Sequence, residues 1–227
     1  MLKPLLHLLY PHTCEGCGND LSRTEEILCI SCSHRLPATG FQLTEGNPVE
    51  KIFHGRIALQ HATAGYYFGQ QSRLRQLVHQ FKYHGRKDIA LYLGRQLGLQ
   101  LRQSSWWQQV SVVIPVPLHA VKQRHRGYNQ AAMLAAGIAG ILGCHTLETL
   151  ERLPNSATQT RKSRMERWVN VSSAFTLKDP AAVTARHVLV VDDVLTTGAT
   201  LEACAQAVLT AGEDVKVSVC SLAYASR

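Results

Sequence analysis

His187-Val-Leu-Val-Val-Asp-Asp-Val-Leu-Thr-Thr-Gly-Ala-Thr-Leu201 is the most informative stretch of the 227-residue chain. The apolar run Val188–Val191 reads as a short buried strand. Two carboxylates, Asp192 and Asp193, end it, and Thr196, Thr197, Gly198, Ala199 and Thr200 form a small-residue turn. A helical pattern follows at once, with Leu201, Ala205, Val208 and Leu209 inward and Gly212 as its stop. Small hydroxyl residues and a glycine let backbone amides approach an anion closely, and amides at a helix N-terminus are free to bind one. Threonine hydroxyls add donors. Two carboxylates repel phosphate, but they can hold sugar hydroxyls or a Mg²⁺ that bridges to a diphosphate. A phosphorylated sugar satisfies both halves. The plainer alternative is a strand–turn–helix in which Asp193 and Thr200 only cap, a task that needs one acid and not the whole string.

Outward from this stretch, helix and strand patterns alternate. Leu74, Leu77, Val78 and Phe81 share one face of a helix over 72–82. Asp88 can cap a second helix presenting Ile89, Leu93, Leu97 and Leu101. Val112–Val116 reads as a buried strand stopped by prolines, and Asn129 as the cap of an alanine-rich helix reaching Leu142. Val215–Val219 alternates with Lys216 and Ser218, the pattern of a half-exposed strand. The alternation predicts an α/β fold, a mostly parallel sheet flanked by helices, with ligands at the carboxyl ends of the strands. By texture, residues 1–36 form a cysteine-rich element. Residues 37–60, with Pro37, Gly40, Gly46 and Pro48, read as a linker or loop, and 61–227 as the α/β domain.

Cys14-x-x-Cys17 and Cys29-x-x-Cys32 stand eleven residues apart, with Gly16 and Gly18 flanking Cys17. Four thiolates at this spacing can converge on Zn²⁺ in a closed, structural site; disulfides and an iron–sulfur cluster are the alternatives. Such a site staples a segment too short to build its own core, and substituting Cys14 is expected to leave the distant threonine turn intact. Cys144, Cys204 and Cys220 sit alone in apolar segments as small core residues. The N-terminal MLKPLLHLLYP is interrupted by Pro4, His7 and Pro11 and is followed by no small-x-small cleavage site, so no secretion signal is read there. No stretch approaches the ~20 apolar residues of a membrane helix. No membrane insertion and a reducing, cytoplasmic location are expected. A net charge of +8 favours polyanionic partners, or is merely a solvated surface.

The segment 187–201 resembles the phosphoribosyl-diphosphate (PRPP) motif of type I phosphoribosyltransferases. The resemblance implies that Asp192 and Asp193 contact the ribose hydroxyls and stabilise charge in catalysis. Thr196, Thr197, Gly198, Ala199 and Thr200 hold the 5′-phosphate, with Mg²⁺ accompanying PRPP. Ile114-Pro-Val-Pro-Leu118 resembles the diphosphate loop of that fold. Val116, Pro117 and Leu118 would lie beneath the diphosphate, with Lys122, Arg124 and Arg126 neutralising it; the alternatives for these cations are nucleic acid or solvent.

Together with the cysteine pairs, Phe81-Lys-Tyr-His-Gly-Arg86, Arg126-Gly-Tyr-Asn-Gln130, Gln159, Arg164 and Asn170, the chain resembles the ComF (competence protein F) family. That resemblance implies a part in natural transformation, single-stranded DNA as a ligand and a DNA-translocating helicase as a partner. It leaves both a transferase and a non-catalytic PRPP sensor open. Some relatives carry eight clustered cysteines; the four here imply one metal. Under the resemblance, Lys82 and Arg86 either reach the ligand or end a solvated helix. Arg161, Lys162, Arg164 and Arg167 are candidates for DNA phosphates. Trp106, Trp107 and Trp168 either stack bases or pack.

Overall fold

The computed structural model describes residues 12–153 and 174–225. Its frame is a five-stranded sheet in the order β1 (Ala62–Tyr67), β7 (Lys216–Tyr224), β6 (His187–Leu195), β2 (Val112–Pro115) and β3 (His145–Thr146). All its pairs are parallel. Parallel strands need covering on both faces, which is why these segments are valine-rich without alternation. On one face Val113, Leu189, Val191 and Cys220 meet three helices: α3 (Arg73–Tyr83), α4 (Lys87–Leu101) and α6 (Gln130–Leu142). On the other, Ile114, Val190 and Val219 meet α2 (Pro48–Phe53) and α7 (Ala199–Leu209). A short helix, α1 (Ile30–His34), belongs to the cysteine element, and α5 (Ala120–Arg126) follows β2. A separate antiparallel hairpin pairs β4 (Leu150–Arg152) with β5 (Phe175–Leu177). Among the described residues, no helix is long and apolar enough to cross a membrane.

The expected helical faces are buried: Leu74, Leu77, Val78 and Phe81 on α3, and Ile89, Leu93, Leu97 and Leu101 on α4. Asn129 caps α6, its side chain accepting from the Ala131 amide. Four local expectations change. The cap position of α4 is Arg86, and Asp88 lies in the first turn, where it takes the Arg86 guanidinium at 2.8 Å. Helix α7 ends at Leu209 and is capped by Thr210, whose hydroxyl donates to the Gln206 carbonyl at 2.9 Å, before Gly212 is reached. The strand β7 is not half-exposed. It lies between β1 and β6 under helices on both faces, and Ser218 is buried against His187 Nε2 at 2.8 Å. The stretch 37–60 holds a 3₁₀ turn, Phe41–Leu43, and α2. Buried Asn47 organises both: its oxygen accepts from the Val49 and Glu50 amides, and its nitrogen donates to the carbonyls of Phe41, Thr44 and Ala62.

Helices α4 and α6 approach closely through glycines. A Cβ on Gly137 would stand 2.5 Å from the Leu91 carbonyl oxygen and 2.7 Å from the Arg95 nitrogen, both backbone atoms that cannot turn aside. Gly137→Ala is therefore expected to destabilise the fold by about 1–3 kcal/mol through overpacking, read as a lowered urea midpoint with an unchanged slope.

Candidate functional site

Proline ends β2 at Pro115, while β6 runs on through Asp192 to Leu195, paired only with β7 beyond that point. The two acids thus lie in the strand and at the carboxyl edge of the sheet, where the neighbour on one side has stopped. Between β6 and α7 the chain turns through Gly198 at φ +79°, a left-handed conformation that suits glycine. Space also requires it: a Cβ there would meet Ile52 Cγ2 at 2.8 Å and Phe53 Cε1 at 2.9 Å. Helix α2 is thus the floor of the turn. Arg56, just beyond α2, donates to the Thr197 carbonyl at 3.4 Å and pairs with Glu202. A cavity of about 40 Å³ is bounded by Asp192, Val194, Leu195 and residues 196–201. It has room for roughly three water-sized groups, and the first-turn amides of α7 lack intrahelical partners.

Lys82, at the end of α3, meets Asp193 Oδ2 at 2.7 Å, with both side chains only 16% exposed. Arg86 does not join it. Its guanidinium is taken by Glu15 and Asp88, so the two cations considered together in the sequence serve different places. After β2, Val116 is buried, and Pro117 and Leu118 are half-buried; Asn129 Nδ2 donates to the Val116 carbonyl at 3.0 Å and holds the loop. The three cations of α5 diverge. Lys122 and Arg124 are exposed. Arg126 bonds Gln130 at 3.0 Å and covers the Tyr83 ring at 5.4 Å. A cleft of about 560 Å³ opens beside the loop, lined by Pro117, Leu118, Arg124, Asn129, Arg152 and Lys178 among others. Trp106 is buried and stacked on His61 at 4.7 Å, a packing role, and Trp107 lies under Arg102 at 5.5 Å. Arg161, Lys162, Arg164, Arg167 and Trp168 lie outside the described residues.

The sulfurs of Cys14, Cys17, Cys29 and Cys32 all lie within 4.8 Å of one another, and none is in a disulfide. Cys17 and Cys29 Sγ are 3.8 Å apart. Tetrahedral coordination at a metal–sulfur distance of about 2.3 Å requires about this spacing, so the cluster is able to hold a metal ion. Burial opposes a Cys14 thiolate. The amides of Cys29, Gly16 and Cys17 outweigh it and bring that pKa down to about 6, while burial pushes the Cys32 thiol up.

The sequence reading missed the floor of the turn, Ile52, Phe53 and Arg56. A signal was present: Asn47, Pro48 and Glu50 stand at the cap, first and third positions of a helix start.

No family model matches the chain. The DNA utilization protein YhgH of Shigella flexneri is 34% identical over 203 residues, covering 88% of this chain and 85% of the relative. Competence protein F of Haemophilus influenzae is 35% identical over 130 residues, 55% of this chain and 57% of the relative. The chain belongs to the ComF family. Competence protein ComFC of Bacillus subtilis is a further relative, 34% identical over 47% of this chain and 42% of its own length. Among solved structures, a glutamine PRPP amidotransferase from B. subtilis aligns with a TM-score of 0.45 at 20% identity. That alignment covers 63% of this chain and 30% of the other.

In this ComF-family chain the paired acids also set a pH dependence. Burial first, and the neighbouring Asp193 charge second, raise the Asp192 pKa to about 7; the Asp193 amide, 2.8 Å from Asp192 Oδ1, and the charges of Lys82 and Lys122 pull against this. An unfolded aspartate titrates near 3.9. The folded state therefore binds the proton more tightly, and the stabilising contribution of protonated Asp192 is fully present below about pH 4 and lost as pH rises through about 7. Asp192→Asn has no such charge to bury. Its melting temperature should exceed that of the wild type at pH 8, and the gap should close towards pH 4 in thermal scans across that range.

Proposed function

We propose that this protein binds Mg²⁺–PRPP and acts as a phosphoribosyltransferase-type protein in the use of DNA. The observation that carries the reading is the turn at Gly198 opening α7, its small cavity bounded by Thr196–Thr200 on one side and Asp192 on the other. In this reading Thr196, Thr197, Gly198, Ala199 and Thr200 hold the 5′-phosphate through backbone amides and hydroxyls. Asp192 and Asp193 hold the ribose hydroxyls and stabilise the cationic ribose that develops as diphosphate departs. Val116, Pro117 and Leu118 sit beneath the diphosphate, with Lys122 the α5 cation whose charge reaches Asp192. Mg²⁺, when bound, supplies the charge that neutralises the diphosphate. The acceptor stands in the cleft lined by Arg124, Arg152 and Lys178.

The four cysteines suit Zn²⁺, which supplies a cross-link to a segment with little core of its own. Metal analysis of purified protein is expected to give one zinc per chain, lost in Cys14→Ser. Reduced thiols and a phosphorylated metabolite both fit a cytoplasmic location. The names of the relatives support DNA use and competence as the setting. Single-stranded DNA would then lie along Arg161, Lys162, Arg164 and Arg167, beside a DNA translocase.

Calorimetric titration with Mg²⁺–PRPP is expected to show saturable binding that Asp193→Asn weakens at least about tenfold, the loss of a charge-assisted contact. Diphosphate release in the presence of an acceptor would identify turnover, and binding without release a sensor. A folded sample that ignores millimolar PRPP with magnesium removes the reading.

A further inference from the structure

The cysteine element and the acid pair meet the same short stretch of chain, residues 80–86. Glu15 stands inside the first Cys-x-x-Cys, and both of its carboxylate oxygens are engaged from the α/β side. Gln80 Nε2 donates to Oε2 at 2.9 Å, and Arg86 Nη1 pairs with Oε1. Asp88 holds the same guanidinium at 2.8 Å, so Arg86 cannot turn away without breaking two ion pairs. The Tyr128 hydroxyl donates to the Phe81 carbonyl. Between these fixed points lies Lys82, with its ammonium on Asp193 at 2.7 Å. Below them, Cys14, Leu28 and Cys32 share one core with Leu77, Phe81, Leu189 and Val191. The helix end that carries the site's counter-charge is thus gripped by the loop that carries the metal-binding sulfurs.

We propose that Glu15 is a positioning residue for the ligand site. The metal fixes the cysteine loop, the loop fixes Glu15, Glu15 holds residues 80–86, and that stretch sets Lys82 against Asp193. Metal occupancy and ligand affinity are then coupled, in place of the independence of cysteine element and threonine turn expected from the sequence, and the coupling is reciprocal. The Glu15–Arg86 pair is partly exposed and contributes little to global stability, so its effect falls on position. The ligand half of this statement rests on the PRPP reading; the structural half does not.

Glu15→Ala, Glu15→Gln and wild type are compared by metal content, by hydrogen exchange over residues 73–86 and 188–200, and by titration with Mg²⁺–PRPP. Glu15→Ala is expected to keep its metal and its melting temperature. Its exchange at 80–86 and 190–196 should rise about fivefold or more, the lower end of typical site couplings, with a matching loss of PRPP affinity. Glu15→Gln, which keeps one acceptor oxygen for either Gln80 or Arg86, should recover part of both. Chelation of the wild type should reproduce the pattern and add little to Glu15→Ala. If Glu15→Ala sheds the metal, Arg86→Met breaks the same tie from the other side. Unchanged exchange in a metal-loaded variant, or chelation that loosens residues 80–86 equally in variant and wild type, overturns the proposal. A wild type that does not bind PRPP removes the ligand reading, while the exchange result still decides the coupling.

Discussion

Asp192 and Asp193 place two carboxylates on adjacent residues of a strand whose earlier residues are buried on both faces. Like charges in such a half-buried place repel with less water to screen them than at an open surface. The surroundings meet this repulsion in three ways. Lys82 gives Asp193 a direct partner, the Asp193 amide gives Asp192 a donor, and Lys122 adds positive potential from α5. Each comes from a different part of the chain. Helix α3, helix α5 and strand β6 must all hold their places for the acid pair to persist.

The same economy appears behind the threonine turn. A left-handed glycine lets the chain reverse from β6 into α7, and the missing Cβ leaves room for Ile52 and Phe53. Asn47, buried beneath the 3₁₀ turn, helps to hold helix α2 there: its oxygen accepts from two amides and its nitrogen shares its two hydrogens among three carbonyls. Backed by Ile52 and Phe53 and tied through Arg56 to the Thr197 carbonyl and Glu202, the turn has little freedom to move.

The cysteine element is bound into this arrangement. Cys14 and Cys32 lie in the core shared with α3 and β6, and Glu15 and Glu26 pair with Arg86 and Arg95 across the boundary. An element of this size has too little apolar surface to fold on its own. It gains order from the helices it lies against, and its four clustered sulfurs are placed to hold a metal ion.

The sequence by itself determined the parallel α/β frame, the faces of α3 and α4 and the strand–turn–helix of 187–201. These are local periodicities and turn chemistries, written in consecutive residues. It also determined which four cysteines cluster, since paired Cys-x-x-Cys knuckles bring their own sulfurs together. Only the tertiary structure decided where β7 lies. A strand with alternating polar residues reads as half-exposed until its place between two others, with His187 waiting for Ser218, is known. The fold alone also parted Lys82 from Arg86, four residues apart on one stretch, sending one to Asp193 and the other to Glu15. Ion pairs join residues distant in sequence, and no local pattern records which carboxylate a lysine will meet.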